Sequence, residues 1–220
     1  MTATPASLAG LYVGTSGWSY PTWKPGFYAL GTKSEDFLRY YAERFPTVEL
    51  NTTGYRLPRE ELFERWAEQT PPGFRFAPKL NAHRRSDYGT FAERVGLLGE
   101  RLGPIRVVVA AARDDGLLKL VLGSFDPSLS LAMDLRHKSW DGIEAELPAN
   151  AARVNALEAD APFRYLRFRE PPYDEQALGK LAERIDPQIS AGICVYCYFR
   201  HEDEPTAPEY AAKLLAALGG

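Results

Sequence analysis

Cysteine is scarce in this chain, with two in 220 residues, and that excludes a disulfide-stapled secreted scaffold. Cys194 and Cys197 form a CxxC, but they lie in Ile193-Cys-Val-Tyr-Cys-Tyr-Phe199, where β-branched and aromatic residues indicate a strand. Positions three apart on a strand point to opposite faces, so these thiols are read as buried structural cysteines that neither share a metal nor close a disulfide. Long apolar runs are also missing. The longest, such as Val107 to Ala112, fall far short of the roughly 20 residues that span a bilayer, so no membrane role is expected. Met1 to Gly10 has neither a basic region nor a long apolar core and does not read as a signal peptide, which makes a reducing cytoplasm the expected compartment. Excess positive charge is lacking too: 26 Lys and Arg against 29 Asp and Glu give −3 overall. The field of the whole molecule therefore does not draw in polyanions, and a nucleic-acid partner would need a local basic patch.

Phosphate-binding motifs are absent as well. There is no GxGxxG and no GxxxxGK[ST], so nucleotide binding by those loops is unsupported, although Gly14-Thr-Ser-Gly17 at a strand end offers backbone N–H groups to a phosphate. The three histidines, His83, His137 and His201, fall in loops after strands three, five and eight and show no HxxxH or HxH spacing. No metal site is assigned to them, and no cofactor is identified.

What is present is an ordinary globular composition, 45% apolar and 12% aromatic, with strand-like and helix-like segments alternating throughout and no linker or charge run dividing the chain. Residues 1–220 are accordingly read as one α/β domain. Strands are expected at Leu11–Thr15, Val48–Asn51, Phe74–Leu80, Ile105–Ala112, Leu129–Arg136, Arg153–Leu157, Tyr165–Arg169 and Ile193–Phe199. The fourth reads as apolar on both faces, hence covered on both sides. Helices are expected from Ser34, an N-cap candidate, and over Arg59–Gln69, Phe91–Leu102, Asp114–Leu122, Asp174–Arg184 and Pro208–Leu218. Eight such units make a single compact TIM-like (β/α)8 barrel. Trp140 to Ala152 is too short and too Pro-interrupted for a full helix, so the unit between strands five and six is expected to be shortened.

Charges inside apolar strands must pair or bind something. By the two-residue period Glu49 and Asn51 share a face, as do Asp134 and Arg136, and Arg167 and Arg169. If these faces point inward at the C-terminal mouth, Glu49 and Asp134 meet Lys79, Arg136 and Arg167 there. The alternative is a set of satisfied structural ion pairs. Glu49 and Asp134 are the acid–base candidates, with His137 as a proton carrier or simply a loop-orienting residue. The surplus of base over acid at this face of an acidic chain points to a small anionic ligand. An aromatic loop holding Trp18, Tyr20, Trp23, Phe27 and Tyr28 either stacks on a ligand or plugs one end of the barrel.

The motifs Tyr12-Val-Gly-Thr-Ser-Gly-Trp-Ser-Tyr20, Tyr40-Tyr-Ala-Glu-Arg-Phe45, Val48-Glu-Leu-Asn-Thr-Thr-Gly-Tyr-Arg-Leu-Pro58 and Phe74-Arg-Phe-Ala-Pro-Lys79, with Arg136-His-Lys-Ser-Trp140 and Tyr196-Cys-Tyr-Phe199, resemble the YecE-like family, domain of unknown function seventy-two. The resemblance covers nearly the whole chain in order and implies a TIM-like barrel whose family activity is unassigned. It departs from the family pattern at Gly54, where Phe is usual, and at Asp134, where Glu is usual. Further departures are Ala110-Ala-Ala-Arg113, Arg167-Phe-Arg-Glu170 and Arg200-His201, all at the expected C-terminal rim.

Together these readings suggest a hydrolase acting on an anionic, phosphate- or carboxylate-bearing substrate. Glu49, Asp134 and His137 would do the chemistry, and Trp18, Tyr20, Asn51, Tyr55, Arg56, Lys79, Arg136, Trp140 and Arg167 would bind. A noncatalytic barrel for a sugar, nucleotide or nucleic acid, or a barrel with a decayed site, are the alternatives.

Overall fold

The computed structural model describes residues 10–84 and 87–219; the leader reading for Met1 to Gly10 falls almost wholly outside them. Its strands are β1 (Leu11–Thr15), β2 (Thr47–Leu50), β3 (Arg75–Asn81), β4 (Ile105–Val109), β5 (Leu131–Leu135), β6 (Ala151–Arg153), β7 (Phe163–Phe168) and β8 (Cys194–Phe199). All pair in parallel in one sheet ordered β6-β5-β4-β3-β2-β1-β8-β7. That is a TIM-like barrel of eight parallel strands, nearly closed, with its seam between β6 and β7. Among the described residues an α-helix is missing not only between β5 and β6, as expected, but also between β6 and β7, where a full unit was expected. Hydrogen bonds from Asn155 N to the Tyr165 carbonyl (2.9 Å) and from Arg167 N to Asn155 Oδ1 (2.7 Å) bridge the seam. Asn155 sits in the left-handed region at φ 66°, a conformation Asn tolerates better than most residues.

The helices are α1 (Phe37–Ala42), α2 (Glu60–Glu68), α3 (Tyr88–Gly96), α4 (Asp115–Gly123), α5 (Glu175–Ser190) and α6 (Thr206–Ala217). Three begin on an Asp side chain that accepts an orphan amide: Asp87 from Thr90, Asp114 from Leu117 and Asp174 from Ala177. Ser34 does not cap α1; it lies in a short 3-10 turn, and α1 starts after Asp36 without a side-chain cap. Between β5 and β6 only two 3-10 turns occur, Lys138–Trp140 and Ile143–Glu146, as the short Pro-interrupted segment predicts. The sixth strand ends at Arg153 rather than running to Leu157, because its ladder stops at Met133↔Arg153 and the chain turns at Asn155.

Alternation along the strands separates two cores. Leu11, Val13, Val107, Val109, Leu131 and Met133 face the helices in one large cluster. The opposite face forms the barrel interior, where Ala77, Ala132 and Ala152 lie against Phe163, Tyr165, Tyr196 and Tyr198. Small residues on one wall thus accommodate rings from the other, as interior packing at native density requires. Cys194 is half-buried on the inner face and Cys197 buried on the outer, both unpaired. The rings of the aromatic loop after β1 pack into the outer, helix-facing core and not into the barrel interior: Trp23 and Tyr28 are buried, and Tyr28 stacks on Phe37 of α1 at 4.0 Å. Among the described residues no helix is long and apolar enough to cross a membrane.

Candidate functional site

Inward-pointing charges stand above the tyrosine layer. Glu49 of β2 is fully buried, and its Oε1 accepts the Tyr165 hydroxyl at 2.7 Å. Arg106 Nη1 reaches it at 3.2 Å and Arg167 Nε at 2.8 Å. Asp134 of β5 accepts from Arg106 Nη2 (3.0 Å), Arg136 Nη2 (3.1 Å) and Arg169 Nη2 (2.7 Å). The parity of Glu49 with Asn51, Asp134 with Arg136, and Arg167 with Arg169 therefore does gather acid and base at the C-terminal mouth.

Arg106 is what the sequence reading missed. The fourth strand is not apolar on both faces; Arg106 points inward, buried, and links Glu49 to Asp134 while its Nη1 also reaches Asn51 Oδ1 at 3.4 Å. A single Arg inside Ile105-Arg-Val-Val-Val109 is the signal that was there to find, since an unpaired guanidinium would not survive in that strand. Arg169 was placed on the right face but not among the site residues.

Electrostatics follow from these contacts. Burial alone would raise the Glu49 pKa, but Arg106, Arg167 and the Tyr165 hydroxyl outweigh it and hold the carboxyl below the ordinary range. Asp134 is likewise buried, yet Arg106, Arg136 and Arg169 bring it down to about 2. Both carboxylates are thus ionised, and four guanidinium groups surround the two of them. Burial lowers the Arg169 pKa despite Asp134, and its Nε is buried without a hydrogen-bond partner among the described residues.

A cleft of about 740 Å³ opens directly over this cluster, along the seam. Asp134 and Arg136 form one wall, Arg167, Arg169 and Tyr173 the other, with Arg153 and Asn155 at the end of β6. Its size is that of a small-molecule site. Arg153 is already engaged by Asp141 and Glu144 at 2.9 and 2.6 Å.

The remaining candidates lie elsewhere or are occupied. Lys79 pairs with neither carboxylate; its Nζ contacts the Tyr55 hydroxyl at 3.2 Å, its stem lies over Gly54, and burial lowers its pKa. A Cβ on Gly54 would stand 2.8 Å from Lys79 Cγ, so the small residue at this departure from the family pattern makes room for that path. Tyr55 and Arg56 are exposed on the same turn. Trp140 is buried, with Nε1 donating to the Ala111 carbonyl, and offers no face to a ligand. His137 is exposed and caps its own 3-10 turn through Ser139, the loop-orienting alternative. Trp18, Tyr20 and Asn51 border a second cleft of about 370 Å³ with Leu38, Leu62 and Trp66. The Gly14–Gly17 segment presents no phosphate nest, because Thr15 N is taken by the Tyr41 hydroxyl and Ser16 N by the Phe199 carbonyl. His201, half-buried, stacks on Tyr20 at 4.6 Å and contacts Ser16 Oγ through Nδ1; burial lowers its pKa. Among the described residues no group of three or more His, Cys, Asp and Glu is arranged to hold a metal ion.

Comparison with known proteins agrees with this architecture. The family model described as "Protein of unknown function DUF72" matches residues 12–220. The UPF0759 protein YecE of Escherichia coli strain K12 is 44% identical over 142 residues, covering 59% of this chain and 50% of that protein. The UPF0759 protein YunF of Bacillus subtilis strain 168 is 24% identical over 197 residues, 83% of this chain and 63% of that one. The match thus spans about half to two-thirds of the length of these relatives. Among solved structures, a DUF72 family protein from Enterococcus faecalis V583 superposes with a TM-score of 0.77 at 17% identity, over 96% of both chains. One from Thermotoga maritima MSB8 gives 0.76 at 22% identity, over 96% of this chain and 99% of that.

Proposed function

The chain belongs to the DUF72 family, and for this member of it we propose that the C-terminal mouth binds a small anionic molecule through Arg136, Arg167 and Arg169. The observation that carries the reading is the imbalance of charge in this cluster: four guanidinium groups against two carboxylates, with Arg136 and Arg169 partly exposed at the cleft. Such a surplus stands out in a chain of net charge −3, and guanidinium groups are suited to bidentate contact with phosphate or carboxylate. Glu49 and Asp134 act in this reading as anchors that set the arginine geometry.

Hydrolysis of the bound anion, with Glu49 and Asp134 as acid and base, has weaker support. Glu49 is fully buried and does not line the seam cleft, standing instead at the edge of the second one beside Trp18 and Asn51, and the carboxylate of Asp134, held at about 2, is a poor proton acceptor near neutrality. Binding without turnover by these two groups is the reading favoured. The unpaired thiols suit a reducing compartment, and we place this activity in the cytoplasm.

A thermal-shift series with inorganic phosphate, sugar phosphates, citrate and a short oligonucleotide tests the proposal. A bound anion at 100 times its Kd adds about 2.7 kcal/mol. The expected result is a stabilising small anion whose effect disappears in Arg136→Ala and Arg169→Ala. An anion that stabilises both variants as well as the parent would move the site elsewhere, and no shift with any anion would remove the reading.

A further inference from the structure

Asp134 receives more hydrogen bonds on one oxygen than that oxygen can hold. Its Oδ2 lies 3.1 Å from Arg106 Nε, 3.0 Å from Arg106 Nη2, 3.1 Å from Arg136 Nη2 and 2.7 Å from Arg169 Nη2. Its Oδ1 has a single long contact, to Arg136 Nε at 3.4 Å. A carboxylate offers about four lone-pair sites, roughly two on each oxygen, so four N–H groups converge where about two can be served. The excess finds no outlet within the protein, since Arg169 Nε is buried with no partner among the described residues.

The three arginines differ in their freedom to leave. Arg106 is sealed beneath the cleft and also fastened to Glu49 and Asn51. Arg136 and Arg169 keep 39% and 32% of their side-chain surface exposed, and both line the cleft. Arg167, anchored to Glu49 by Nε alone, lines it beside them. A ligand oxygen arriving from solvent thus meets three guanidinium edges, two of which share an oversubscribed acceptor.

We infer that the cleft takes a phosphate monoester in its dianionic form, with Asp134 as the resident counter-ion that releases Arg136 and Arg169 to it while keeping Arg106. This rests on the anion-binding reading above and narrows it to one class. A dianion matches the two positive charges left over in the Glu49–Asp134 cluster, whereas a carboxylate or a phosphodiester matches one of them. A monoester also presents three terminal oxygens to three guanidinium groups, and a diester only two. Exposed Glu170 and the carboxylate of Glu144 stand on the rim of the same cleft, which favours one isolated phosphate over a run of them.

The test is calorimetric titration of the full chain at pH 7.5 and fixed ionic strength with methyl phosphate, dimethyl phosphate and acetate. Methyl phosphate is expected to bind tighter than either by roughly ten-fold or more, the scale of one additional charge-assisted contact. Asp134→Asn is expected to tighten methyl phosphate several-fold by removing the competitor. Should that variant fail to fold, Arg169→Gln, at a half-exposed position, is expected to shrink the preference of monoester over diester towards unity. Dimethyl phosphate or acetate binding as tightly as methyl phosphate would overturn the inference while leaving anion binding intact. So would a folded Asp134→Asn that binds the monoester more weakly, or an Arg169→Gln that keeps the full preference. Failure of all three probes would remove the anion-binding reading itself.

Discussion

Replacing Arg106 by Met would leave Glu49 and Asp134 inside the barrel without the cation that joins them. Breaking a buried ion pair from one side costs about 3–5 kcal/mol, so Arg106→Met is expected to lose that much in urea denaturation, and a loss below about 1 kcal/mol would show that the cluster does not hold the mouth. The pH dependence has a definite sign. The Asp134 pKa is depressed to about 2 in the folded protein, and Glu49 is depressed as well. Their stabilisation is therefore complete above the ordinary carboxylate range and is lost as pH falls from about 4 through about 2, with Asp134 contributing about 2 kcal/mol. Denaturation midpoints across that range should fall steeply in the parent and less in Asp134→Asn. At this scale the sequence was informative wherever the two-residue period applied: it put Asn51 with Glu49 and Arg169 with Arg167. It was uninformative about Lys79, whose long stem follows the space left by Gly54 to Tyr55, because a flexible side chain's direction is decided by its neighbours and not by strand parity.

Elements are joined by side chains as much as by ladders. The β1–β2 ladder holds only the pairs Gly14↔Thr47 and Thr15↔Val48, and the Tyr41 hydroxyl from α1 is inserted beside it. That hydroxyl accepts from Thr15 N at 2.8 Å and donates to the Thr47 carbonyl at 3.0 Å. Gly14 permits the approach, since a Cβ there would stand 2.0 Å from the Thr47 carbonyl oxygen and 2.8 Å from the Tyr41 hydroxyl. Tyr41→Phe is expected to cost about 2–3 kcal/mol by chemical denaturation, because it strands buried backbone groups without altering the ring's packing; an unchanged midpoint would show that a rearranged ladder replaces the bridge. Strands and most helices were legible because their apolar period is strong. The start of α1 and the length of β6 were not, because a 3-10 turn and a left-handed Asn155 leave no periodic mark.

For the whole molecule, alternation of strands and helices sufficed to give the barrel, and the missing helix before β6 was visible as a shortage of residues, whereas the missing helix between β6 and β7 was not foreseen. The seam was not visible, because which two neighbouring strands fail to pair depends on how the sheet closes in space. It also places the cleft: the arginines of β7 and the end of β6 face each other across the one junction lacking a ladder. Asn155→Ala, which removes the side-chain link to Arg167 N and puts a less tolerant residue at φ 66°, is expected to cost about 1–2 kcal/mol, with Asn155→Gly costing less because it relieves the backbone. Equal losses would show that the left-handed conformation adds nothing. A hoop cut at one point widens at the cut. Thermal breathing of this barrel is accordingly expected to concentrate at Asn155 and Arg167, beside the cleft, and a molecule lodged between Arg136 and Arg169 would act as a clasp. Amide exchange at those two residues would slow on binding before exchange in the β1–β8 wall changed at all.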